Sequence, residues 1–146
     1  MKIPFTGGCA CGAVRYECSA QPVFSWICHC RDCQRASGSA FCPLLYVERS
    51  ALTIKGESKY HDVQAESGNL VSRGFCPQCG SPVFIQAELV PSLQGVWAAS
   101  LDDPSQFQPS VQVWCGSAHP WDCLSPTLPQ IAKAPTEHQM QEILAP

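Results

Sequence analysis

Phe75-Cys76-Pro77-Gln78-Cys79-Gly80 is a C-P-x-C-G knuckle, a strong half-site for zinc. A half-site needs a partner. The natural one is Cys9-x-Cys11, which is wrapped in glycine by Gly7, Gly8 and Gly12. Glycine permits the backbone angles of a tight knuckle and lets a metal approach the main chain. Four thiolates around Zn²⁺ carry about two net negative charges and leave no free position, so this site is expected to be structural. A clip joining chain positions so far apart stabilises a short-stranded domain by restricting the unfolded chain.

Between these halves the pattern is β. Ala13 to Cys18 reads as a strand with Val14, Tyr16 and Cys18 on one face and Arg15 and Glu17 on the other. Val23–Cys28 and Phe41–Val47 are apolar and strand-like, with Pro43 arguing for an edge or a bulge in the second. Residues 34–39 read as a small polar loop. Shorter strands are predicted at 52–55, 59–63, 70–73, 83–86, 96–101 and 111–114. Thirteen prolines and ten glycines fit many turns, and no long amphipathic helix is visible, so the fold class is all-β. The length of 146 residues suits one domain, predicted over 1–125. Pro126, Pro129, Pro135 and Pro146 mark 126–146 as a docked or mobile tail, in which Thr136 to Gln139 supply a capping box for one short helix.

Cys28-His29-Cys30-Arg31-Asp32-Cys33 holds a second cluster. Three thiolates on Zn²⁺ leave one open position, where an incoming thiol would lose its proton. The competing reading is a second structural site with its fourth ligand elsewhere: Cys42, His29, His61 or Cys115. In an extended stretch the ring of His29 faces away from its cysteine neighbours, which makes it a supporting or packing residue. Arg31 and Arg35 are candidates to hold the carboxylates of an acidic thiol such as glutathione, or to balance the cluster's charge. Cys18, Cys42, Cys115 and Cys123 have no paired spacing and are expected to pack as small apolar residues. Trp97, Trp114 and Trp121 are expected in the core, and Asp102-Asp103 in a turn.

Composition narrows the rest. The N-terminal Met-Lys-Ile-Pro-Phe-Thr shows no apolar or Arg-rich leader, so a reducing, cytoplasmic setting is expected. There, clustered cysteines are more often metal ligands than disulfides. An odd total of eleven cysteines also fits a disulfide framework poorly. Net charge is −3, and the nine Lys and Arg are scattered, which argues against nucleic acid as a partner. No apolar run approaches a membrane span.

Three motifs in order carry a resemblance: Gly8-Cys9-x-Cys11-Gly12-Ala13-Val14-Arg15-Tyr16, then Cys28-His29-Cys30-x2-Cys33-Gln34-x2-Ser37-Gly38, then Arg73-x-Phe75-Cys76-x2-Cys79-Gly80-Ser81. Together with Leu101-Asp102-Asp103-Pro104 and the Trp114 to Trp121 segment, they resemble the glutathione-dependent formaldehyde-activating enzyme family, to which centromere protein V is related. The resemblance spans roughly residues 5–124. It implies a β-tent fold of twisted antiparallel sheets pinned by zinc. It implies a structural zinc on Cys9, Cys11, Cys76 and Cys79, and a second, exchangeable zinc on Cys28, Cys30 and Cys33, which would be the catalytic residues. It further implies a carbon–sulfur lyase resembling S-(hydroxymethyl)glutathione synthase, with glutathione and an aldehyde as partners, and a thiol lying along Gln34 to Phe41. Arg31, Gln34, Arg35, Ser37 and Gly38 are the expected substrate contacts. The alternative function is a non-catalytic zinc-stapled binding module or thiol carrier.

Overall fold

The computed structural model describes residues 1–145. Its strands in chain order are β1 (Phe5–Gly8), β2 (Arg15–Cys18), β3 (Phe24–Cys28), β4 (Cys42–Glu48), β5 (Leu52–Lys55), β6 (Lys59–Gln64), β7 (Leu70–Phe75), β8 (Pro82–Ala87), β9 (Leu93–Trp97), β10 (Val111–Val113) and β11 (Gln130–Ile131). The helices are α1 (Arg31–Ser37) and α2 (Glu137–Leu144). The fold is mostly strand, as the sequence predicts. No helix among the described residues is long and apolar enough to cross a membrane.

The strands form two sheets. One has the order β1-β2-β5 and the other β11-β10-β3-β4-β9-β8-β7-β6. Pairing is antiparallel except at β10, which runs parallel to both β3 and β11. The expectation of wholly antiparallel sheets fails there because β10 and β11 arrive through long connections rather than hairpins.

Strand β4 explains the packing. Its residues are buried on both faces: Leu45 and Val47 enter a core shared with Phe5, Val14, Tyr16 and Phe84, while Leu44 and Tyr46 face a second cluster with Phe24, Ile85 and Trp97. A strand covered on both sides reads as a continuous apolar run rather than an alternating one. Pro43 does not mark an edge, because β4 is central. It lies opposite Ile27, and the ladder to β9 begins only at Leu44, so no bond on that side needs its missing N–H. Other boundaries shift. β1 falls where only a knuckle was expected, and the strand placed at 96–101 is β9 followed by a 3-10 turn at Ala98–Ser100. Of the tryptophans expected in the core, Trp97 is buried, Trp114 is half-buried and Trp121 is 70% exposed.

The main correction is α1, in place of the polar loop at 34–39. Cys30 caps its N-terminus, with the thiol accepting from Cys33 N–H at 3.3 Å. Gly38 ends it in the left-handed region at φ 65°, where its N–H donates to the Gln34 carbonyl. A Cβ at Gly38 would meet nothing within 4 Å, so Gly38→Ala introduces backbone strain alone. The expected cost is about 1 kcal/mol, which lowers the melting temperature by about 2–4 °C. An unchanged thermal melt would contradict this account of the cap.

Residues 126–146 continue the same architecture through 145. β11 extends the larger sheet, and Met140 and Ile143 of α2 pack on the second apolar cluster. The capping box on Thr136 and Gln139 is present.

Candidate metal centre and cleft

Cys9, Cys11, Cys76 and Cys79 converge, with every sulfur within 4.8 Å of the others. Cys9 and Cys11 Sγ lie 3.5 Å apart, and Cys11 and Cys76 Sγ 3.7 Å. A tetrahedral zinc with bonds of about 2.3 Å separates its sulfurs by roughly 3.8 Å, so the spacing fits. The backbone is arranged for sulfur anions. Gly12 and Gly80 turn the two knuckles at φ 77° and 73°. Val14 N–H points at Cys9 Sγ at 3.2 Å. The Ser81 hydroxyl and the backbone N–H groups of Ser81 and Cys11 pull the Cys79 pKa down to about 5. Ala13 N–H acts the same way on Cys11, but the sulfurs of Cys9 and Cys79 outweigh it and push that pKa up to about 12. Four such sulfurs ionise together only around a cation. Around a tetrahedral zinc the quartet would leave no place for another ligand.

Cys28, Cys30 and Cys33 form the second convergent group, all three buried. Cys28 ends β3, Cys30 caps α1 and Cys33 lies in its first turn. Cys33 is held well below the usual thiol range by bonds from the sulfurs of Cys28, Cys30 and Cys42, with the charge of Arg73 adding. Cys28 is pushed well up by the sulfurs of Cys30 and Cys33 and by burial. Crowding of the three sulfurs thus favours ionising Cys33 ahead of Cys28, and a bound cation would favour ionising all three. None of the four candidate fourth ligands belongs to this group. Cys42 is fully buried opposite Cys28 and helps to lower the pKa of Cys33, His61 is exposed on β6, and Cys115 lies in a 3-10 turn after β10. The buried His29 turns toward Asp122, with Nδ1 3.2 Å from Oδ2, and packs near Phe41.

The three sulfurs line a cleft of about 900 Å³, counted with its open mouth. Phe24, Trp26, Leu44, Tyr46 and Ile85 form its apolar walls. The Ala65–Asn69 turn flanks it on one side, and Pro135 and Met140 contribute from the tail. Its charged lining groups are Asp32, Glu66 and Arg73. These were missed from sequence as ligand contacts, although Arg73 alternates with Val71 on the inward face of β7, a visible signal.

The five expected substrate contacts lie elsewhere. Arg31, Gln34, Arg35 and Gly38 border a shallow outer hollow with His119 and Trp121, not the cleft. Gln34 is buried, and its amide N–H donates to the carbonyls of His29 at 2.7 Å and Ser117 at 3.0 Å. Its amide oxygen accepts from Arg31. The Ser37 hydroxyl donates to the Phe41 carbonyl at 3.1 Å. Gln34 and Ser37 thus tie α1 in place, and Gly38 caps it. Arg31 Nη1 meets His119 Nε2 at 3.0 Å, and Arg35 is exposed.

The remaining candidates have structural surroundings. Asp102 binds Arg15 and Thr6, and Asp103 caps a 3-10 turn, in keeping with turn roles. Cys18 is buried in the first core. Cys123 is exposed, contrary to its expected packing role.

Comparison with known proteins agrees with this geometry. A Rhodobacter sphaeroides protein of known crystal structure aligns with a TM-score of 0.54 at 24% identity, over 66% of this chain and 87% of that one, which is a likeness of fold. No curated protein matches the chain. Residues 4–117, holding both cysteine groups and α1, match the family described as glutathione-dependent formaldehyde-activating enzyme. The chain belongs to that family.

Proposed function

We propose that the chain is a zinc-dependent carbon–sulfur lyase that joins glutathione and formaldehyde reversibly, with Cys9, Cys11, Cys76 and Cys79 holding a structural zinc and Cys28, Cys30 and Cys33 an exchangeable one. The observation that carries the reading is the contrast between the two groups. One is a closed quartet. The other is a buried trio on the wall of an apolar cleft, with no fourth protein sulfur in the group.

Zinc on the trio would supply positive charge that keeps an incoming thiol ionised at neutral pH. The protein does the rest. Gln34 and the Cys30 cap fix α1, and with it the spacing of Cys30 and Cys33. Trp26, Leu44 and Tyr46 limit water around the reacting sulfur. A sulfur lone pair forms the bond to the aldehyde carbon, the carbonyl π electrons move to oxygen, and that oxygen takes a proton. The thiol proton leaves to solvent, and reversal breaks the same carbon–sulfur bond.

Thiols add to formaldehyde unaided, so the test is a rate and not a yield. Exchange NMR on glutathione with formaldehyde is expected to show faster interconversion of adduct and free thiol with catalytic amounts of protein. Interconversion at the uncatalysed rate, with glutathione still bound, would make the protein a thiol carrier.

A further inference from the structure

Among the described residues, Arg73 is the one cation lining the cleft. It lies on β7 opposite Ile85 of β8, which is itself part of the cleft wall. Its Nε is buried without a hydrogen-bond partner. The contacts of basic side chains with carboxylates among the described residues are Arg15–Asp102, His29–Asp122 and His138–Glu142, so no carboxylate lies within 4.0 Å of it. Asp32 and Glu66 line the same cleft, and Asp32 already accepts from Glu66 N–H at 3.1 Å. Trp26, which also lines the cleft, has a second buried donor without a partner at Nε1.

A half-buried guanidinium among apolar walls is costly unless something pairs with it. Its planar fork of donors matches a carboxylate in two parallel hydrogen bonds. A bare counter-charge for the cysteine trio would need no such fork, and a lysine would serve.

We infer that Arg73 is the seat of a ligand carboxylate, so that the cleft favours a free-acid ligand over its neutral ester. This seat does not rest on the lyase reaction proposed above.

S-methylglutathione separates the two, because its sulfur is blocked and cannot ionise. Titration calorimetry on the metal-containing protein is expected to show S-methylglutathione binding at least about ten-fold more tightly than its diester. Arg73→Met is expected to abolish that preference and Arg73→Lys to retain part of it, with thermal melts checking that both variants fold. Equal binding of acid and diester by the unmodified protein, no binding of S-methylglutathione, or a preference that survives in a folded Arg73→Met would each overturn the assignment. The unmodified protein decides the first two whether or not the variants fold. Failure of free glutathione to act at the metal would remove the lyase reading and leave the carboxylate seat standing.

Discussion

Cys76→Ser is expected to unfold the protein. Cys76 is fully buried, and its sulfur lies 3.7 Å from that of Cys11, across a gap in the chain that nothing covalent closes. Its knuckle is otherwise held by two backbone bonds, Cys76 N–H to the Ser81 carbonyl and Gly80 N–H to the Cys76 carbonyl. Structural zinc sites contribute about 10–16 kcal/mol in small peptides, comparable with the whole stability of about 5–15 kcal/mol of an ordinary domain. Serine is a poor zinc ligand and leaves a buried hydroxyl. Far-UV circular dichroism is expected to show loss of the β signal at 25 °C. Cys18→Ala is the control: Cys18 is also fully buried but belongs to no sulfur group, so its cost is expected to be about 1 kcal/mol. A Cys76→Ser protein melting like the unmodified one would remove the structural role.

Cys30→Ser is expected to do the opposite, leaving the fold and removing the activity. Cys30 has two roles that serine separates. As the N-cap of α1 it accepts from Cys33 N–H, and serine is among the best residues for that position. As one sulfur of the trio it has no adequate oxygen substitute for holding zinc. The melting temperature should stay within a few degrees, consistent with a change of about 1 kcal/mol, while adduct exchange falls more than about a hundred-fold. Loss of circular dichroism in this variant would mean that the trio is structural, and exchange at the unmodified rate would mean that it is not the reacting site.

The same double role explains what the sequence displayed and what it concealed. The cysteine spacings were legible because thiolates must sit a fixed few residues apart to reach one ion. β5 was legible to the residue, and β4 as an apolar run. The helix α1 was not, because a C-x2-C spacing also suits an N-cap and the third residue of a helix, and the polar residues after it looked like a loop. The helix places the residues expected to contact substrate outside the cleft. Arg31, Gln34, Arg35 and Gly38 recur three or four residues apart and share the outer face of the turn, whereas Cys33 lies two residues from Arg31 and from Arg35 and faces the other way. Sequence neighbours of the cysteine trio were therefore carried to the opposite side in space. The cleft was concealed for a different reason. It is assembled from β3, α1, β4, β7, β8, β10 and the tail, and no local pattern records that long-range pairing. The partner of His29 was concealed likewise, since Asp122 follows long after it in the chain.

The most direct test of the account is the mass of the native protein with and without glutathione. The two sulfur groups predict two zinc ions per chain, with glutathione adding to or displacing only one of them. A zinc count and mass indifferent to glutathione would contradict an open thiol-binding site and leave a zinc-stapled binding module in its place.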